Sequence, residues 1–126
     1  MSTRAHIGIR NSHNTVHEII FTHWYGYPSH HGPILLKYYR NTKQVRALMA
    51  SGNHESLWPK PHLGDTWGKS NRFDTFDDMC KGLHDSWAEY IYIFDVKHKR
   101  WLFSSMSGLD SMSLKPLTLK DCEVEE

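Results

Sequence analysis

Cysteine is nearly missing from this chain. Two occur in 126 residues, Cys80 and Cys122, and they form no C-x-x-C pair. That spacing excludes a Cys-based structural zinc site and points to a reduced, intracellular protein. Long apolar runs are missing as well. No segment approaches the roughly 20 apolar residues of a membrane span. Met1-Ser2-Thr3-Arg4-Ala5-His6 opens no apolar signal-peptide core. No membrane partner is expected. Charge of one sign is scarce: the formal net charge is +1, too little by itself to argue duplex DNA binding. The signatures of common catalytic sites are also absent. There is no H-E-x-x-H, no G-x-S-x-G and no Gly-rich phosphate loop, and the H-x-[ST] triplets are weak candidates for a two-histidine site. No catalytic residue is named on this basis, no cofactor is implied, and the chain reads as a binder rather than an enzyme.

What is present is one domain's worth of apolar residues, 39% of the chain, and a generous 13% of aromatics. Residues 1–120 are expected to form one domain able to bury its own core. The charge is unevenly spread. The six residues from Asp121 to Glu126 hold four of the 14 acids and no base, and they read as an acidic, disordered tail. The remainder is mildly basic, which favours an anionic ligand. Ten histidines add a reserve of positive charge in mild acid.

Residues 5–10 alternate, with Ile7 and Ile9 on one face. Asn11-Ser12-His13-Asn14 signals a turn, and residues 15–24 follow as a β-branched and aromatic run. Together they predict a hairpin. Gly32-Pro33 reads as a helix start with Pro at its first position. Asn41 predicts an N-cap for a second helix, with Gln44 as capping-box partner and Gly52 as its C′ stop. Residues 53–72, punctuated by Pro59, Pro61, Gly64 and Gly68, show no period. They read either as a functional loop or as an irregular segment pinned by Trp58 and Trp67. Asp74 or Thr75 caps a third helix whose stripe is Phe76, Met79, Cys80 and Leu83. Residues 88–95 are the strongest strand signal, apolar on both faces and therefore central. Lys97-His98-Lys99 turns the chain into a partner strand at 100–104. The expected fold is α+β: an antiparallel sheet of about four strands in two hairpins, with about three helices, in the order β-β-α-α-α-β-β. Residues 5–10 are a candidate exposed edge that could pair two copies into a homo-oligomer.

The densest chemistry lies in His23-Trp24-Tyr25-Gly26-Tyr27-Pro28-Ser29-His30-His31-Gly32-Pro33. A helix N-terminus after Gly32 would present free N–H groups to an anion. Gly26 and Gly32 would allow close backbone approach, His30 and His31 would add charge, and Trp24, Tyr25 and Tyr27 offer stacking faces for a nucleobase. Arg40 and Arg72 are the candidate cations. The candidate ligand site is therefore His23, Trp24, Tyr25, Gly26, Tyr27, His30, His31, Gly32, Arg40 and Arg72, and the ligand class is a small anionic nucleotide. The plainer alternative is a rigid strand-to-helix corner with solvated histidines. His23, His30, His31, His54 and His62 have no metal-ligand spacing, so no metal site is expected. A competing reading uses Trp58 and Trp67 as anchors for a protein partner. A nucleotide-degrading enzyme is a third.

Thr3-Arg4-Ala5-His6-Ile7, His23-Trp24-Tyr25-Gly26-Tyr27-Pro28 and Gly32-Pro33-Ile34-Leu35-Leu36-Lys37-Tyr38-Tyr39, followed by Val45 and Leu48, resemble a set of short proteins encoded by bacteriophages and prophages. Their signature is roughly H-W-D-G-Y-P, a glycine, then L-L and an aromatic. The resemblance covers about residues 3–57, with a weaker echo from Glu89 to Phe94 and at Trp101. Tyr25 stands where the signature has Asp. The resemblance implies a phage source, action in the cytoplasm of an infected bacterial host, and an anti-defence role. That role would be sequestration of a nucleotide immune signal or direct inhibition of a host defence effector such as a CRISPR component.

Overall fold

The computed structural model describes residues 3–10, 17–59, 66–83, 88–106, 114–118 and 120. Strand β1 (Ala5–Arg10) pairs antiparallel with β2 (His17–Thr22). Helices α1 (Pro28–Tyr38) and α2 (Thr42–Ala50) follow. Three short strands come next: β3 (Asn53–His54), β4 (Thr66–Trp67) and β5 (Asn71–Phe73). Helix α3 (Phe76–Gly82) precedes β6 (Tyr90–Asp95), β7 (Arg100–Ser105) and β8 (Lys115–Pro116).

All eight strands belong to one mixed sheet of order β4-β3-β2-β1-β6-β7-β8, with β5 also pairing β2. This corrects the expected antiparallel sheet of about four strands and its order. Both predicted hairpins form, β1·β2 and β6·β7. They are joined by β1 lying parallel to β6, which no local signal in either hairpin specifies. The four extra strands are two or three residues long, too short for a period of two to show. β1 lies between β2 and β6, so residues 5–10 are not an edge available for pairing copies.

Register explains the layering. Ala5, Ile7, Ile9, Ile20, Tyr92, Phe94, Trp101 and Phe103 share one face and pack with Leu35, Tyr39, Val45, Leu48 and Met49 of the α1–α2 layer. Ile19, Ile91 and Ile93 point the other way, onto Met79 and Leu83 at α3. β6, apolar on both faces, is indeed an inner strand. The side chains of Phe76 and Cys80, the turn at 11–14, His62, Cys122 and the acidic tail lie outside the described residues.

Two predicted caps are present. Asn41 accepts the Gln44 N–H at 2.9 Å, while Gln44 Oε1 reaches back to the Arg40 N–H at 2.8 Å. Thr75 accepts the Asp78 N–H at 3.0 Å. Gly52, just past α2, has φ +86°, the left-handed conformation that a helix stop asks of glycine. Helix α1 starts earlier than expected. Tyr27 is its N-cap, Pro28 its first residue, and Pro33 lies inside it.

Candidate functional site

The segment after β2 is held by backbone bonds to two distant stretches. The His23 and Trp24 N–H groups donate to the Glu55 carbonyl at 3.1 and 2.7 Å, and the Gly26 N–H donates to the Thr3 carbonyl at 2.8 Å. The Tyr92 hydroxyl donates to the Gly26 carbonyl at 2.7 Å. Gly26 is buried, and a Cβ there would lie 2.6 Å from the Ala5 Cβ and 2.9 Å from the Thr3 carbonyl oxygen. Its close approach is thus to its own chain rather than to a ligand. Tyr25, beside it, has φ +59°, a strained choice for a bulky side chain. That conformation directs the segment around a corner, and Tyr25 is left 52% exposed.

Large aromatics gather at this end of the sheet. Trp24, Tyr25 and Tyr27 are exposed on the corner itself. Trp58 follows the 55–57 stretch that the corner is bonded to, and Trp67 sits on β4, two pairings from β2. Trp24 Nε1 donates to Glu55 Oε2 at 3.2 Å, and Trp67 meets Phe21 edge-on at 6.1 Å. Of the two anchors of the protein-partner reading, Trp67 shares this end of the molecule with Trp24, whereas the Trp58 carbonyl accepts the Tyr39 hydroxyl at 2.6 Å, which sets Trp58 between this end and the α1–α2 junction.

Histidines line the inner side of this surface. His30 is in ring contact with Tyr25 at 5.3 Å and with His31 at 5.4 Å, and His31 with Tyr92 at 5.8 Å. His31 is wholly buried, and its Nε2 lies 2.8 Å from Thr22 Oγ1. Burial, with His30 beside it, lowers the His31 pKa to about 3. Burial lowers His6, which packs edge-on against Phe21, to about 4. His30 is lowered by burial as well. His23 sits between Phe21 and Trp24. Burial thus disfavours the charged form of His30 and His31, which counts against the cationic role expected of them.

The remaining anion-binding features also fall elsewhere. Gly32 is the fifth residue of α1 and buried, so its amide does not face a ligand. Pro28 has no N–H to offer, and the His30 N–H donates to the Tyr27 carbonyl at 3.0 Å. Arg40 follows the C-terminal end of α1, about 16 Å along the helix from Pro28. Arg72 pairs opposite Glu18 near the start of β2, the end away from the corner. The structure brings together His23, Trp24, Tyr25, Gly26, Tyr27, His30 and His31, and separates Arg40 and Arg72 from them.

Two hydroxyl–imidazole contacts resemble nucleophile–base pairs. Thr22 Oγ1 also donates to the Ala5 carbonyl at 3.3 Å, and Ser51 Oγ, 2.7 Å from His54 Nε2, donates to the Leu48 carbonyl at 2.6 Å. Each hydroxyl has both a carbonyl and an imidazole within reach, and the imidazole tautomer sets which partner donates in each pair. Among the described residues, no group of three or more His, Cys, Asp or Glu side chains is placed to hold a metal ion, and no helix is long and apolar enough to cross a membrane.

Sequence reasoning missed Glu55, Thr22 and Tyr92, which hold Trp24, His31 and Gly26. Tyr92 was legible only as a strand residue, and its hydroxyl partner is 66 positions away. Glu55 carries no sequence signal of its own. The chain matches no protein-family model, no curated protein and no solved structure.

Proposed function

We propose that the protein is a non-catalytic binding module that docks onto another protein through the aromatic end of its sheet. The carrying observation is the convergence of exposed Trp24, Tyr25, Tyr27 and Trp67 on one end, with exposed Trp58 three residues beyond Glu55, to which the corner is bonded. Large, rigid aromatics are the side chains that dominate the centres of protein interfaces. The resemblance to phage-encoded proteins supplies the setting: inhibition of a host defence effector in the bacterial cytoplasm.

Sequestration of a nucleotide-type signal is a second reading. It is favoured by Tyr25 and Tyr27, which stand perpendicular at 6.3 Å with His30 beside both, a surface on which a base can stack. The distance of Arg40 and Arg72 counts against it.

The test is native mass spectrometry of the protein isolated from phage-infected, defence-active bacteria, alongside Trp24→Ala and Trp58→Ala variants. A stoichiometric host polypeptide is expected with the wild type. Its affinity should fall about 30-fold or more in the variants, the scale of a lost interface anchor. A bound mass of several hundred daltons instead would establish the second reading. A polypeptide retained equally by the variants would overturn the first.

A further inference from the structure

The opposite end of the sheet carries a run of exposed cations. β6 and β7 are joined by a tight turn in which Lys97, His98 and Lys99 are exposed, and exposed Arg100 opens β7. Lys99 takes φ +53°. Register sets Arg10 beside Asp95, and Asp95 opposite Arg100. Asp95 is the carboxylate at this turn, and it faces inward. Its Oδ2 is shared by an Arg10 guanidinium nitrogen at 3.2 Å and by His98 Nδ1 at 2.6 Å. Trp101 Nε1 donates to the Tyr39 carbonyl at 2.9 Å, which brings the α1–α2 junction, with exposed Arg40, to the same end. Exposed Arg40, Lys97, Lys99 and Arg100 thus share this end of the sheet, where Arg10 and His98 pair with one buried carboxylate.

We infer that this basic end is a binding surface for the phosphate backbone of a nucleic acid. A protein interface needs apolar or aromatic anchors at its centre. Here Tyr39, Phe94 and Trp101 are buried beneath the surface, and the groups left outside are cations. Tyr38, the exposed ring beside the junction, has the Lys37 ammonium 5.4 Å from its centroid. An aromatic face next to positive charge suits nucleic acid. The tip is a turn of lysines, which act as point charges, and no helix or ribbon is presented to read base edges. Backbone contacts of this kind position a strand without reading its sequence. The turn at Lys97–Lys99 and the corner at Trp24 lie at opposite ends of β1 and β6, six residues each and about 17 Å long, while the Tyr39 hydroxyl, which donates to the Trp58 carbonyl at 2.6 Å, ties the α1–α2 junction to the segment after β3.

The test is fluorescence anisotropy of a labelled mixed-sequence oligonucleotide, single-stranded and duplex, titrated with the full chain over a range of salt. Binding should be insensitive to sequence, with a dissociation constant on the order of 10⁻⁵ M at physiological salt. The double variant Lys97→Gln/Lys99→Asn keeps the turn, because Asn tolerates a left-handed backbone. It should weaken binding about tenfold at low salt and lower the duplex salt slope by about 1.8, the share of two phosphate contacts. An unchanged melting temperature checks its fold, and Lys97→Gln alone gives an intermediate loss. Trp24→Ala should bind oligonucleotide like the wild type, so failure here and failure of the docking proposal are read on different variants. Equal oligonucleotide binding by the wild type and the double variant would overturn the inference. So would binding of polyglutamate without binding of oligonucleotide, which would make the partner an acidic protein.

Discussion

The two ends of the central strands solve the problem of placing polar groups beside a core in opposite ways. Near the start of β1, His6 packs against Phe21, and His31 lies on Tyr92 of β6 under the corner. These imidazoles are kept neutral by burial. At the finish of the same strands, Arg10 and His98 converge on Asp95. Burial pushes the Asp95 carboxyl up, but the His98 hydrogen bond and the Arg10 charge together outweigh it, and the net shift is downward. One end strips charge from its titratable groups. The other supplies a buried counter-charge and keeps cations at the surface. A polar side chain beside a core can be held neutral or can be paired, and that choice determines whether the surface above it is aromatic or charged.

The largest effect that would expose this difference is a pH dependence confined to the aromatic end. His6 and His31 have folded pKa values of about 4 and about 3 against an ordinary 6.5. Between those limits the unfolded chain binds more protons than the folded one. Stability is therefore intact above about pH 6.5 and is lost as pH falls toward the folded values. At about 1.4 kcal/mol per pH unit for each group, the pair should lose about 4 kcal/mol between pH 7 and pH 5. Urea denaturation at the two pH values measures the sum. Hydrogen exchange locates it: amides of residues 23–31 should lose protection before those of 96–102. His31→Gln, which keeps a polar amide toward Thr22, should remove about half of the dependence. Uniform loss of protection across both ends would break the comparison.

A smaller effect comes from crowding. Gly26→Ala drives a Cβ into Ala5 and the Thr3 carbonyl, neither of which is the free tip of a flexible side chain. About 2 kcal/mol of stability should be lost, seen as a shift in the urea midpoint at unchanged slope. Any refolding of the corner around the new methyl group would instead reach Tyr25, Tyr27 and Trp24, and their fluorescence would report it.

Much of this contrast was legible one element at a time and illegible in combination. Alternation in 5–10 and the apolar run in 88–95 identified both hairpins, and Asn41, Gln44, Gly52 and Thr75 marked helix ends through short-range hydrogen bonds. The choice between Pro28 and Pro33 as the first residue of α1 could not be made locally, since both suit that position. Contacts from Gly26 to Thr3 and Tyr92 coincide with the earlier start. The aromatic residues of the candidate site were recognisable by type. Their gathering with Trp67 depends on pairings of one or two residues in β3 and β4, which leave no periodic trace. Arg40 and Arg72 were separated from the corner for a related reason: strand pairing and helix length, rather than composition, set which end each one occupies.

The smallest effect tests whether the two ends are energetically separate. Asn41→Ala removes the cap at the α1–α2 junction, close to Arg40, and leaves the Gln44 N–H to water. An exposed cap of this kind contributes about 1 kcal/mol. The junction is joined to β7 through the Trp101–Tyr39 bond, whereas Gly26 is joined to β1 and β6 at the other end. The Tyr39 hydroxyl, which donates to the Trp58 carbonyl at 2.6 Å, connects the junction to the stretch that holds Trp24, but Asn41 and Gly26 share no hydrogen-bond partner among the described residues. Sites without shared partners add to within about 0.5 kcal/mol. The double variant Gly26→Ala/Asn41→Ala should therefore lose close to the sum of the single losses. A larger discrepancy would mean that α1, which runs from the corner to the junction, transmits strain between the ends. In that case a ligand bound at one end would alter affinity at the other, and the two surfaces would form one coupled device rather than two independent ones.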